Sequence, residues 1–419
     1  MINMAVKIRQ AVILAGGLGT RLGELTKQTP KPMVLVNGKP FLEYLIVMLK
    51  ENGIEEVVLL LGYLPDKIMN YFKDGSDFGV KIKYSVGEVS FETGKRLKNA
   101  ESFLDDIFLL MYCDNYWPLR LTKIIEFYDK HNELTMITVY NNYDNTTKNN
   151  MLVDENGYVS GYDRSRKDKN LNTVDIGFVI MKKKSLADMP LTNFSLEEEF
   201  YPKLIGKKEM VAYRSDQKYY SIGTPEKLKI AEELLADKKI VLVDRDGVIN
   251  KKAGKADYVK KWSEFRFLPK ALDGLRLLSE SGFKVVIITN QPGIARGRVS
   301  KEDLEEIHRN MINEVKKNSG KIDAIYCCMH GWDDNCECRK PKPGLLFKAS
   351  RDLKFNLTKT FFIGDDERDV AAGDSAGCKN ILITNETDND RKNNVKPYFV
   401  CKNLYDAAKI VVQYNEVKK

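Results

Sequence analysis

Short apolar runs of β type alternate with helical runs along this chain, in two separate series. The first series contains "QAVILAGG", "EEVVLLLGY", "DIFLLMYCD", "LTMITVY" and "DIGFVIM". Between its first two runs, "FLEYLIVMLKENG" carries apolar residues at helical spacing and stops at a glycine. The second series begins at "KKIVLVDRDGVIN" and continues through "FKVVIITNQ" and "KTFFIGDD". This rhythm predicts mostly parallel sheets with helices on both faces. A chain of 419 residues is long for one domain. Each series therefore predicts its own Rossmann-like α/β domain. "TPEKLKIAEELLADKK" reads as a helix running into a charged connector, which places the boundary near Ala236 and the domains at 1–236 and 237–419. The two series end their strands with different chemistry, so they are not internal repeats. "NETDNDRKNNVK" reads as a polar surface loop.

No apolar run approaches the roughly 20 residues of a membrane helix. The opening "MINMAVKIRQAVILAGG" passes straight into a glycine turn with no cleavage site, so a cytoplasmic protein is expected. The net charge of +8 is scattered, with no basic stripe interleaved with aromatics. Phosphorylated small molecules account for that excess, and nucleic acid is not expected as a partner. Seven cysteines and three histidines are present, and "YCCMHGWDDNCEC" holds four of the cysteines and one histidine. In a reducing compartment such a cluster reads as a metal site. Cys113, Cys378 and Cys401 read as packing residues, Cys327 as a bystander, and His131 and His308 as surface or structural.

"LAGGLGTRL" follows a strand directly. Gly16, Gly17 and Gly19 let backbone N–H groups approach phosphates, with Thr20 in the same turn. Arg21 adds a bidentate phosphate partner, and "TPKPM" brings Lys31. The combination "LAGGLGTRL…PKPMVLVNGKPFLEY" closely resembles the sugar-1-phosphate nucleotidyltransferases, from about residue 10 to "GTPEKL" near residue 235. The resemblance implies that the glycine loop cradles a nucleoside triphosphate. It implies that Arg21 and Lys31 stabilise charge while a sugar phosphate attacks the α-phosphorus. It also implies magnesium on Asp114. The family's second metal carboxylate lies in a "DIGTPE" motif, whereas this chain reads "SIGTPE" and offers the weaker hydroxyl of Ser221. Asp175 stands where the family carries a sugar-facing Asn, and either contacts sugar hydroxyls or partly replaces the missing carboxylate. In "FETGKRLKNA", Glu92 and Lys95 replace family glycines, so a different sugar pocket is expected. The resemblance leans towards guanylyl and mannose-type transferases, which makes GTP the expected co-substrate.

In "VLVDRDGVIN", Asp244 and Asp246 follow an apolar strand two residues apart, where extended backbone points both the same way. One carboxylate can attack phosphorus while the other moves the leaving-group proton. "IITNQPGIARG" supplies Thr289 and Asn290, "CRKPKPG" supplies Lys340, and "FFIGDDERD" supplies Asp365, Asp366 and Asp369. Together these resemble the motifs of the haloacid-dehalogenase (HAD)-type phosphatases. That resemblance implies Asp244 as nucleophile, Asp246 as general acid/base, and Thr289, Asn290 and Lys340 around the phosphoryl group. It places magnesium on Asp244, Asp246 and Asp365, and leaves Asp369 to brace the loop. Cys328 and His330, then Cys336 and Cys338 five residues on, form a four-ligand soft set suited to a closed structural zinc site that aims Lys340. With that loop, the second half resembles the D-glycero-D-manno-heptose-1,7-bisphosphate 7-phosphatases. The histidinol-phosphate phosphatases share the loop. Arg296 and Arg339 are candidate contacts to a second phosphate.

The two halves together predict a bifunctional enzyme acting on sugar phosphates and a nucleoside triphosphate, with no membrane or nucleic-acid partner; a homo-oligomer is compatible. One alternative keeps the phosphatase and makes the first half a binding module, because of Ser221. Another fuses a histidinol-type or other phosphatase to a transferase for a different sugar.

Overall fold

The computed structural model describes residues 6–131, 133–254, 257–384 and 396–416. Residues 385–395 of the expected loop "NETDNDRKNNVK" lie outside the described residues. Contacts divide the chain into two compact units, Met1–Leu235 and Ala236–Lys419.

In the first unit the sheet strands are β1 (Gln10–Ala15), β2 (Glu56–Leu61), β3 (Lys81–Val86), β4 (Ile107–Tyr112), β5 (Thr135–Tyr140), β6 (Val174–Lys182) and β7 (Met210–Ser215). Helices α1 (Phe41–Glu51), α2 (Pro65–Phe72), α3 (Thr93–Asn99), α4 (Leu121–His131), α5 (Tyr201–Gly206) and α6 (Pro225–Leu235) accompany them. The sheet order is β7-β5-β6-β4-β1-β2-β3. β1 runs parallel to β2 and β4, but β6 is antiparallel to both β4 and β5. The sheet is therefore mixed. The connection from β5 to β6 carries a short antiparallel pair, Met151–Val153 with Val159–Tyr162, instead of a crossover helix. Without that crossover β6 enters from the opposite end. All six residues of β1 are buried. Ala11, Ile13 and Ala15 face one core with Phe41 and Leu45 of α1. Val12 and Leu14 face the other core, with Leu97 of α3. Burial on both faces is why the strand reads as continuous apolar sequence.

The second unit contains β8 (Ile240–Val243), α7 (Ala271–Glu280), β9 (Lys284–Asn290), α8 (Lys301–Lys317), β10 (Ala324–Cys328), α9 (Gly344–Leu353), β11 (Phe361–Gly364), α10 (Glu367–Ala376), β12 (Lys379–Ile383), β13 (Phe399–Cys401) and α11 (Leu404–Glu416). Its sheet is parallel throughout, in the order β10-β9-β8-β11-β12-β13. Val241, Val243, Ile287 and Ile363 pack on the face covered by α7, α8 and α11. Leu242, Val286, Ile288 and Phe362 pack on the face covered by α9 and α10.

Each sheet reverses its direction of growth beside its first strand. β1 lies between β2 and β4, and β8 lies between β9 and β11. The loops leaving such a strand diverge and open a crevice at its C-terminal end. Both candidate sites sit at these crevices. Among the described residues, no helix is long and apolar enough to cross a membrane.

Candidate active sites

In the first unit the chain leaves β1 at Ala15 and turns through Gly16–Gly19. Gly19 has φ 68°, and a Cβ there would lie 2.9 Å from the Lys31 Cβ, so only glycine fits the turn. Lys31 is buried and ion-pairs with Asp114, which follows β4. Gly16, Gly17, Gly19, Thr20, Arg21, Lys31 and Asp114 line one cleft of about 320 Å³. The strand pair Asn115–Tyr116 with Tyr220–Ser221 sets Ser221 opposite Asn115, beside Asp114. The Ile222 N–H donates to the Asp114 carbonyl at 3.0 Å. A Cβ on Gly223 would lie 3.8 Å from the Ser221 Oγ and 3.9 Å from the Arg21 guanidinium carbon. Ser221 thus stands beside the metal candidate Asp114 and the phosphate candidate Arg21.

Asp175 is not among the residues lining this cleft. Its carboxylate accepts from the Gly177 N–H at 2.7 Å, and burial raises its pKa to about 6. Lys95 turns away, donating to the Leu191 carbonyl at 2.7 Å. Sequence reasoning missed two groups. Arg96 lines the cleft. Glu197 accepts from the Tyr112 hydroxyl, from Thr93 Oγ1 at 2.7 Å and from Ser195 Oγ at 2.8 Å. Glu197 lies in "LEEEF", and nothing in a run of three glutamates says which one turns inward.

In the second unit, Asp244 follows β8 and Lys340 reaches it from the loop before α9. The Lys340 Nζ lies 2.7 Å from Asp244 Oδ1 and 2.7 Å from Asp369 Oδ1, and donates to the Ile288 carbonyl at 2.9 Å. Asn290 and Lys340 exchange two hydrogen bonds of 3.1 Å, which fixes the lysine backbone to the end of β9. Asp244, Asp365 and Asp369 are all buried and offer carboxylate oxygens within 4.8 Å of one another. A Cβ on Gly247 (φ 93°) would come within 2.0 Å of Asp365 Oδ2, so this approach requires glycine. Burial, joined by Asp369 and Asp365, raises the Asp244 pKa against the pull of Lys340. The ammonium of Lys340 is held protonated by Asp244 and Asp369, which outweigh its burial. Lys252 adds a second cation, 2.5 Å from Asp365 Oδ2. Three buried carboxylates that converge within 4.8 Å of one another suit a divalent cation.

The Asp246 carboxylate is not in this group. It accepts from Gln291 Nε2 at 2.7 Å, Asn250 Nδ2 at 2.9 Å and the Arg245 guanidinium at 3.1 Å. The side chain expected to touch magnesium is therefore committed to other donors, while Asp369, expected only to brace, joins the cluster. Asp369 braces as well: its Oδ2 accepts from the Asp365 and Asp366 N–H groups, each at 3.2 Å. Asp366 caps α10. Thr289 is fully buried, with its Oγ1 2.9 Å from Gln291 Nε2. Arg245 is buried and lies 3.2 Å from His308 Nε2. Arginine only donates, so that nitrogen accepts and the imidazole is neutral. Burial and Arg245 lower the His308 pKa to about 4. Asp244, Asp246, Thr289, Asn290, Arg339 and Lys340 line a cleft of about 340 Å³. Trp332 also lines it, with the Arg296 guanidinium 4.5 Å from its ring centre. Arg296 itself donates to the Tyr258 hydroxyl at 2.9 Å and is not among the lining residues.

Cys328, His330, Cys336 and Cys338 converge through Sγ and Nδ1. The Cys328–Cys336 and Cys328–His330 separations are 3.7 Å, and Cys338 lies 3.2 Å from Cys328, 3.5 Å from Cys336 and 3.1 Å from His330. A tetrahedron with metal–sulfur bonds of ~2.3 Å has edges of roughly 3.8 Å, close to this set. Cys113 and Cys378 are buried, while Cys401 is half-buried.

Residues 10–160 match the nucleotidyl transferase family model, and residues 337–407 match the HAD-hydrolase-like model. The chain is 36% identical over 172 residues to the D-glycero-beta-D-manno-heptose-1,7-bisphosphate 7-phosphatase of Helicobacter pylori, covering 41% of this chain and 95% of that one. It is 36% identical over 146 residues to the enzyme of the same name from Pseudomonas aeruginosa, covering 35% and 81%. Among solved structures, HddC from Yersinia pseudotuberculosis complexed with GMP-PN is 28% identical, covers 54% of this chain and 99% of its own, and gives a TM-score of 0.47.

Proposed function

The chain belongs to the D-glycero-beta-D-manno-heptose-1,7-bisphosphate 7-phosphatase family, and on that premise we propose that its second unit removes the 7-phosphate of a heptose 1,7-bisphosphate. The observation that carries this reading is the buried set Asp244, Asp365, Asp369 and Lys340 beside Asp246. The Asp244 carboxylate attacks the phosphorus and forms an aspartyl-phosphate. The bond from phosphorus to the sugar oxygen breaks, and Asp246 gives that oxygen a proton. Asp246 then takes a proton from water, which attacks the aspartyl-phosphate, releases inorganic phosphate and restores Asp244. Lys340 and Thr289 hold the phosphoryl oxygens. Asp244, Asp365 and Asp369 would hold magnesium, which neutralises phosphoryl charge when bound. Gln291, Asn250 and Arg245 orient Asp246. Arg339 faces the same cleft and suits the second phosphate.

The first unit then activates the product. The 1-phosphate oxygen of the heptose 1-phosphate attacks the α-phosphorus of a nucleoside triphosphate, GTP in this reading, and pyrophosphate leaves. Gly16, Gly17, Gly19, Thr20, Arg21 and Lys31 position the triphosphate and offset its charge. Asp114 would hold magnesium, which would offset the charge of the triphosphate. The test is the full chain given heptose 1,7-bisphosphate, magnesium and each nucleoside triphosphate in turn. Inorganic phosphate and pyrophosphate should appear in sequence. Phosphate release from histidinol phosphate but not from the heptose bisphosphate would instead favour the alternative sharing the zinc loop.

Cys328, His330, Cys336 and Cys338 hold zinc in this reading, and Arg339 and Lys340 leave the loop immediately. Elemental analysis should find one zinc per chain. Cys336→Ser should lower zinc content and reduce phosphatase turnover roughly 10- to 100-fold, the usual cost of loosening a support around a site. Protein with full phosphatase activity and no zinc would contradict this assignment.

A further inference from the structure

Trp332 is a large apolar side chain left in the open. It is 58% exposed, yet it lines the cleft of the second unit with Asp244, Asp246 and Lys340. Its place in the zinc loop is held from the residue before it, where the Gly331 N–H donates to Asp334 Oδ2 at 2.6 Å. The Arg296 guanidinium lies over the indole, 4.5 Å from its ring centre. Arg296 also donates to the Tyr258 hydroxyl at 2.9 Å, and Tyr258 lines the same cleft. The Tyr258 ring packs on Gly293, where a Cβ would lie 3.0 Å from the Tyr258 Cγ. One arginine behind the cleft wall thus ties together two aromatics that form part of that wall. They come from separate segments, the loop after β8 and the loop after β10.

An indole has two faces, and Arg296 covers one of them. Trp332 lines the cleft whereas Arg296 does not, so the ring stands between the guanidinium and the cleft. Apolar surface left in water has a cost that a ligand covering it would remove. A sugar ring is edged with hydroxyls but also presents a face of C–H bonds. Those hydrogens carry partial positive charge and suit the negative face of an aromatic ring. We propose that Trp332 stacks against the C–H face of the sugar whose phosphate Asp244 attacks, and that Arg296 is a positioning residue that holds the indole in place for it. As a phosphate contact Arg296 is misplaced, its guanidinium being turned to Trp332 and Tyr258. This inference rests on the phosphatase reading of the second unit and names the side chain that grips the sugar rather than its phosphates.

The test is steady-state phosphate release from heptose 1,7-bisphosphate by the full chain. Trp332→Leu keeps apolar volume but loses the flat face. KM should rise roughly 3- to 10-fold, the size of one aromatic stacking contact, with kcat changed less than about twofold. Trp332→Phe keeps a flat ring and should recover most of the parent KM. Arg296→Met should raise KM in the same direction. Added to Trp332→Leu it should do nothing further, because the arginine acts through the indole. A second arm uses the Asp244→Asn chain, in which the bisphosphate binds without turnover. There the bisphosphate should shift tryptophan emission to shorter wavelength as the exposed indole is covered, and adding Trp332→Phe should remove the shift. That arm decides the matter where Trp332→Leu lacks zinc or does not fold. An unchanged KM in folded, zinc-loaded Trp332→Leu overturns the proposal, as does an additive effect of Arg296→Met or an emission shift that survives Trp332→Phe. Each of these outcomes leaves the phosphatase reading standing. No phosphate release by the parent chain overturns that reading and this proposal together.

Discussion

Asp244→Asn should abolish phosphate release, lowering it by at least about three orders of magnitude, while pyrophosphate release from supplied heptose 1-phosphate continues. The amide has the carboxylate's shape but cannot form an aspartyl-phosphate. The substitution also takes one negative charge from a buried cluster in which Asp244, Asp365 and Asp369 crowd one another. Lys340 keeps its contact with Asp369 at 2.7 Å. The variant is therefore expected to fold, with a melting temperature near that of the parent. The measurement is phosphate release from heptose 1,7-bisphosphate beside a pyrophosphate assay on the same preparation. Loss of both activities in a folded variant would contradict separate chemistry in the two units.

The reactive groups of the second unit were legible because strand ends expose them as short local patterns. Asp244 ends the run "IVLVD", and the zinc-loop ligands lie within eleven residues, so spacing alone grouped them. What spacing did not give is which atoms meet. Asp369 looks like a third acid of a polar turn, yet it lies one helical turn into α10 from Asp365, and that rise brings it back over Lys340. Asp246 looked like a metal carboxylate, but Gln291 arrives from the end of β9 and Arg245 from its own loop to occupy it. The mixed sheet of the first unit had a similar cause. "DIGFVIM" reads the same in either direction, and only the missing crossover helix before it marks the reversal. Arg96 was hidden for another reason: its protein partners are backbone carbonyls, which any residue can supply.

Asp114→Ala should remove nucleotidyl transfer, with pyrophosphate release falling by about two to three orders of magnitude and phosphatase activity unchanged. Asp114 is the carboxylate that the cleft presents beside Lys31, and Ser221 stands where the sequence family carries the other. A neutral hydroxyl binds magnesium more weakly than a carboxylate. Magnesium nevertheless commonly keeps several waters and needs only one or two protein carboxylates beside the substrate phosphates. One aspartate with the triphosphate is therefore sufficient for transfer, at lower metal affinity. Removing Asp114 also frees Lys31 from its ion pair, so triphosphate binding should persist while turnover is lost. That separation distinguishes a lost metal ligand from a collapsed cleft. Ser221→Asp should act in the opposite direction and reduce the magnesium concentration needed for half-maximal transfer. Pyrophosphate release that is absent in the parent chain with every common triphosphate would identify the first unit as a binding module. An effect of Ser221→Asp on magnesium dependence would place position 221 at the metal.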